Sequence, residues 1–165
     1  MGTFVGIKTA PKFRNLGFTL IELMVTISIA AILLAIAVPS FRDFILGQRI
    51  KNASYDVSYT LTFARSEAIK RNNDVVLSPA TGGWKNGWTV SSTVGAVTTT
   101  LSNHEPFPGL NIAGPATNLT YKNDGRINAA ASQTFAISSS ATSSASPRCV
   151  SINLSGLPNS KAGSC

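Results

Sequence analysis

From Phe18 to Val38 the chain runs 21 residues with a single charge, Glu22, near the start. At 1.5 Å rise per residue, a helix that long reaches roughly 30 Å, the hydrocarbon thickness of a bilayer. Lys8, Lys12 and Arg14 lie on its N-terminal side. The positive-inside rule therefore leaves that end in the cytoplasm and sends the remainder across the membrane. Any fold this chain adopts must accommodate an apolar helix that begins beside an acid.

Three readings fit the segment. A secretory signal would use Ala35-Ile36-Ala37 as its A-x-A cleavage site, but such apolar regions are shorter and hold no acid. A plain single-span anchor would leave Glu22 inside the membrane at a cost of about 2.5–3.5 kcal/mol, with no partner on its own helix. A cut after Gly17 removes the difficulty. It creates a new amine on Phe18, four residues before Glu22. Ammonium and carboxylate then neutralise each other, within one helix or between neighbours packed in parallel.

The stretch "GFTLIELMVTISIAAILLAIAVPSF" resembles the class III signal of type IV pilins and type II secretion pseudopilins. The resemblance implies cleavage by a prepilin peptidase after Gly17 and methylation of Phe18. It also implies an assembly role for Glu22 and a helix-kinking role for Pro39. It covers the first quarter of the chain closely. The implied division is a leader over 1–17, a membrane and assembly helix over 18–38, a soluble continuation over 39–72, and a β-rich domain over 73–165. The implied class is α+β: the pilin fold, one long helix against a small, mainly antiparallel sheet.

The rest of the sequence agrees with that class. Pro39 removes a backbone donor and Gly47 is a second soft point. Beyond them Ile50, Ala53, Val57, Leu61, Ala64 and Ala68 recur every three or four residues, which predicts a helix from about Asp43 to Arg71 packed on its own sheet. "RNND" at 71–74 supplies stop and turn residues. Short β-prone runs follow: "DVVLSP", "GWTVSST", "AVTTTLS", "NLTYK", "TFAIS" and "RCVSINLSG", separated by Gly, Pro, Asn or Asp. "NDG" at 123–125 reads as a tight turn, and 138–146 as an exposed loop.

Trp84 and Trp88 in "GGWKNGWTV", with "YKNDGRI" and "RSEAIKRN" on the exposed end of the helix, resemble the minor pilins grouped as GspH/FimT-like. On their own terms the tryptophans read as sheet core. Cys149 and Cys165 are the only cysteines. In an exported chain they suggest a disulfide, worth roughly 3 kcal/mol on the chain-entropy model; two free thiols are the alternative.

Catalysis finds no foothold. The one histidine, His104, sits beside Glu105 in what reads as a Pro-flanked surface loop. No nucleophile is placed by a recognisable elbow, no Cys/His cluster has metal spacing, and no Gly-rich loop precedes a helix. No catalytic residue, metal or cofactor is expected.

Net charge is +7, falling to +4 if the three leader cations leave. That is far from a dense nucleic-acid-binding field. DNA-binding FimT-like members carry Gly-Arg-x-Arg in the tail, where this chain has Gly156-Leu157-Pro158-Asn159. Arg148, Lys161, Lys122 and Arg126 remain as dispersed weak DNA contacts. The departure counts against DNA as a main partner. The resemblance instead implies a FimU-like minor pilin that primes pilus assembly and stays in the tip complex, or a type II secretion pseudopilin. Its partners would be other major and minor pilins, the prepilin peptidase and the inner-membrane assembly platform. Its place would be the inner membrane, with a periplasmic C-terminus, and then an extracellular pilus or periplasmic pseudopilus.

Overall fold

The computed structural model describes residues 17–141 and 144–165. The expected leader, apart from Gly17, therefore lies outside the described residues. The chain divides into two compact units, the first ending at Pro39 and the second spanning Ser40–Cys165.

One helix, α1, is assigned over Leu20–Arg71, with Pro39 inside it. Neither Pro39 nor Gly47 breaks the assignment. Proline costs the helix one N–H, and the donors on either side of it suffice to carry the spiral onward. The helix stops where expected: Asn72 takes a left-handed φ of 49°, and the Asn73 N–H donates back to the Ala68 carbonyl at 3.2 Å.

Among the described residues of the second unit, eight strands form two four-stranded sheets. These are β1 (Val75–Pro79), β2 (Trp88–Val94), β3 (Val97–His104), β4 (Leu110–Ala113), β5 (Leu119–Tyr121), β6 (Gln133–Ser139), β7 (Arg148–Ile152) and β8 (Pro158–Ala162). The first sheet has the order β3-β2-β1-β5 and the second β4-β6-β7-β8. Every pairing between them is antiparallel.

All six residues of the predicted helical stripe are buried, none more than 2% exposed. They join one apolar cluster with Leu77 and Val90 of the first sheet and Phe135, Ile137 and Val150 of the second. Ile50, Val57 and Leu61 supply the bulk of the stripe, and Ala53, Ala64 and Ala68 its small members. Burying one such Leu contributes about 1.5–3 kcal/mol. The whole cluster lies between Ile50 and Ile152, so the second unit carries its own core.

β4 and β8 were not foreseen. The 138–146 loop begins two residues late, because Ser138 and Ser139 finish β6 opposite Asn111 and Leu110. "RSEAIKRN" is not an exposed end throughout: Glu67 and Ala68 are buried within it.

Candidate processing and assembly site

Gly17, Phe18 and Thr19 precede the helix, and α1 begins at Leu20. Thr19 is the N-cap. Its Oγ1 accepts the Glu22 N–H at 3.2 Å, and its carbonyl accepts the Leu23 N–H at 3.1 Å. "TLIE" is the sequence form of a capping box, Thr at the cap and Glu three residues on. Glu22 therefore stands at the third helical position, a place its charge alone does not reveal.

Every residue from Gly17 to Pro39 is exposed, so among the described residues nothing covers the apolar run. Two further polar side chains satisfy themselves within the spiral: Thr26 Oγ1 donates to the Leu23 carbonyl at 2.8 Å and Ser28 Oγ to Met24 at 2.7 Å. Among the described residues no cation lies within ion-pair distance of Glu22. The helix thus hides its hydroxyls and leaves one anion unmatched, at the end where a cut after Gly17 would make a cation.

The tail forms the predicted disulfide, Cys149–Cys165, with Cα atoms 5.1 Å apart. Cys149 is buried in β7. The adjoining β8 pairs with β7 from Arg148↔Ala162 to Ile152↔Pro158.

The four cations named as weak DNA contacts do not converge. Lys122 is engaged by Asp74 at 3.0 Å. Arg126 is exposed, one residue after the NDG turn, where Gly125 has a φ of 79° and the Lys122 N–H donates to the Arg126 carbonyl at 2.8 Å. Arg148 shares the inner row of β7 with buried Val150 and Ile152, and its Nε is buried without a partner. Lys161 pairs across from Cys149, so strand alternation puts it on the opposite face of the sheet.

The tryptophans are core residues. Trp84 Nε1 donates to the Pro115 carbonyl at 2.8 Å and the ring meets Phe135 edge-on at 4.8 Å. His104 requires a correction: it ends β3 rather than lying in a loop. Its ring is half-buried, stacked on Trp88 at 4.4 Å and Phe107 at 4.6 Å. Asp56 Oδ2 stands 3.8 Å from its Nε2. No group of three or more His, Cys, Asp or Glu among the described residues has metal-binding proximity.

The family described as Type II transport protein GspH matches residues 56–156, well over half of the chain. The chain belongs to the GspH family. A prokaryotic N-terminal methylation motif matches residues 12–38, across Gly17, Phe18 and Glu22. With the apolar helix, this marks a membrane-anchored member of the type IV pilin superfamily. Two fimbrial proteins of Pseudomonas aeruginosa are 42% identical over 62 residues, 38% of this chain and 40% of theirs. Fimbrial protein EcpB of Eikenella corrodens is 41% identical over 54 residues, 33% and 34% of the two chains. The likeness to these relatives thus spans less than half of their length. The fold matches the type IV minor pilin FimU of Pseudomonas aeruginosa (TM-score 0.62, 22% identity, 72% of this chain and 96% of that one). It also matches the minor pseudopilin EpsH of the type 2 secretion system of Vibrio cholerae (TM-score 0.57, 16% identity, 69% and 97%).

Proposed function

We propose that the chain is a minor type IV pilin, a structural subunit and not an enzyme, that helps prime pilus assembly and sits in the tip complex. One observation carries the reading: an uncovered apolar helix with a single unmatched carboxylate at its head, within a methylation motif, continuous with a GspH domain. In this reading residues 1–17 are the leader, 18–38 hold the subunit in the inner membrane, and the C-terminus is periplasmic. Hydrolysis of the Gly17–Phe18 peptide bond leaves a carboxylate on the leader and an ammonium on Phe18, which is then methylated. Glu22 pairs with that amine or with its equivalent on a neighbour. A low-dielectric setting strengthens the attraction, and pairing relieves the burial cost of both ions. The partners are other pilins, the prepilin peptidase and the inner-membrane assembly platform.

The test is the mass and N-terminal sequence of the chain recovered from membranes. A mature form that starts at methylated Phe18 is expected, and Gly17→Ala keeps the leader attached. A native chain that still begins at Met1, or that starts after Ala37, refutes the proposal.

A second reading, a type II secretion pseudopilin, is favoured by the description of the matching family. Both share the N-terminal chemistry, so co-isolated subunits separate them: pilus components support the first reading and secretion-system pseudopilins the second.

A further inference from the structure

The two sheets present four edges, and three of them are blunted. β4 has four residues and β5 three. β8 opens on Pro158, which offers no N–H, and carries exposed Lys161. Short length, proline, lysine and bulges are devices by which sheets avoid recruiting another strand. β3 lacks the first three, and its one irregularity is the extra residue Leu101 opposite Val90 and Ser91. The strand runs eight residues, pairs among the described residues with β2 alone, and contains neither proline nor lysine. From Trp88 through Asn103 the hairpin holds no charged side chain. A register shift between Val90 and Ser91 leaves Val97–Thr100 in regular pairing on the tip side.

The face beside this edge is also unfinished. Trp88, Val90 and Ser92 form the buried row of β2. The next residue in that row, Val94, and its cross-strand partner Val97 are each 68% exposed. The helix ends at Arg71, and the Asn73 amide closes that end by donating to Ser92 Oγ at 3.2 Å and the Thr93 carbonyl at 2.6 Å. The core-side row therefore continues past the layer that covers it.

We infer that the β3 edge, with the Val94–Val97 pair beside it, receives an extended, uncharged segment of a neighbouring subunit as an added strand. The occupant's chemistry follows from the edge. N–H and C=O groups repeating at strand spacing are satisfied in series only by another extended backbone, and the valine pair calls for small aliphatic side chains at alternate positions. A nucleic acid would find no cation on this hairpin to hold a phosphate. The inference rests on the assembly reading above for the identity of the neighbour, and on the edge itself for the mode of binding.

Two measurements on the full chain test it. The first uses detergent-solubilised protein and a blocked hexapeptide of alternating Thr and Val, read by amide hydrogen exchange. Slowed exchange confined to Val97–Leu101 is expected, lost in Val97→Lys/Thr99→Lys and kept in Asn159→Lys on the β8 edge. No slowing at β3, or equal slowing at β8, overturns the inference. The second is made in cells: the double-lysine chain is still processed and membrane-inserted, but its recovery with other pilin subunits falls by about tenfold or more, whereas Asn159→Lys is recovered normally. Recovery of the double-lysine chain at the wild-type level overturns the inference. Absence of the wild-type chain from any pilin assembly is instead a failure of the assembly reading, and the peptide experiment then still decides the edge.

Discussion

The phenol of Tyr121, at the end of β5, donates to the Gly156 carbonyl 3.2 Å away in the β7–β8 turn. One hydrogen bond thus ties the last strand of the first sheet to a hairpin of the second. Gly156 is held there by necessity: its φ is 80°, and a Cβ would overlap the Gly125 carbonyl oxygen and press on the Tyr121 ring. Gly156, in the turn of the tail, is thus a packing joint between the sheets.

Tyr121→Phe tests the joint. Losing the bond costs about 1 kcal/mol at neutral pH by urea denaturation, because the Gly156 carbonyl stays buried without its donor. Burial also pushes the Tyr121 phenol well above its ordinary value of 10.0. The folded state therefore favours the neutral form more than the unfolded chain does. That preference is fully present below about pH 10 and is lost as pH climbs toward the folded value. Wild-type stability should decline above about pH 10 by an increment that the phenylalanine variant lacks. Parallel alkaline losses in the two proteins would count against the assignment.

Gly156→Ala and Gly95→Ala separate backbone strain from crowding. Both glycines have positive φ, but Gly95 at the β2–β3 tip faces open space. The tip variant should lose about 1–2 kcal/mol, the left-handed penalty alone. The joint variant adds overlap with backbone that cannot move aside and should lose on the order of 4 kcal/mol or fail to fold. Equal melting temperatures would refute the crowding argument.

The disulfide predicts a third result. Cys149 and Cys165 are 16 residues apart, and β8 between them is already paired to β7. Cys149→Ser/Cys165→Ser should cost roughly 3 kcal/mol, chiefly through the greater freedom of the unfolded chain. Far-UV circular dichroism should keep its sheet content, since the β7–β8 ladder is intact without the bond. Loss of that signal would show that the bond, not the ladder, holds the tail.

What the sequence disclosed and withheld follows from how each element earns its structure. The helical stripe was legible because six apolar residues keep the 3.6 period over five turns, and all six are buried. The NDG turn and most strands were legible from glycine, asparagine and β-branched runs. β8, "PNSKA", has no β-branched or aromatic residue; its conformation is imposed by pairing with β7, a tertiary effect. β4 is four residues of mixed polarity after Gly109, too short for an alternation to stand out. His104 was misplaced because its prolines, Pro106 and Pro108, follow the strand rather than flank the histidine, and its stacking partners come from β2 and the following loop. Of the N-terminal segment, the apolar run, its lone carboxylate and the Thr-x-x-Glu form of the Thr19 cap are all legible in the sequence.

That cap allows the two roles of Glu22 to be pulled apart. Thr19 Oγ1 holds the backbone N–H of residue 22, not its carboxylate, so Glu22→Gln keeps the cap and removes only the charge. Thr19→Val does the reverse, at a cost of about 1 kcal/mol of helix-end stability. If the carboxylate serves assembly by meeting a new ammonium, Glu22→Gln and Glu22→Ala should both be deficient, and equally so, in recovery with other pilins, while Thr19→Val remains close to wild type. Cleavage after Gly17 should proceed in all three, since none of them alters the glycine. Should the glutamine chain assemble normally while the valine chain fails, the segment would depend on a well-formed helix start, and the electrostatic account of its lone anion would be wrong.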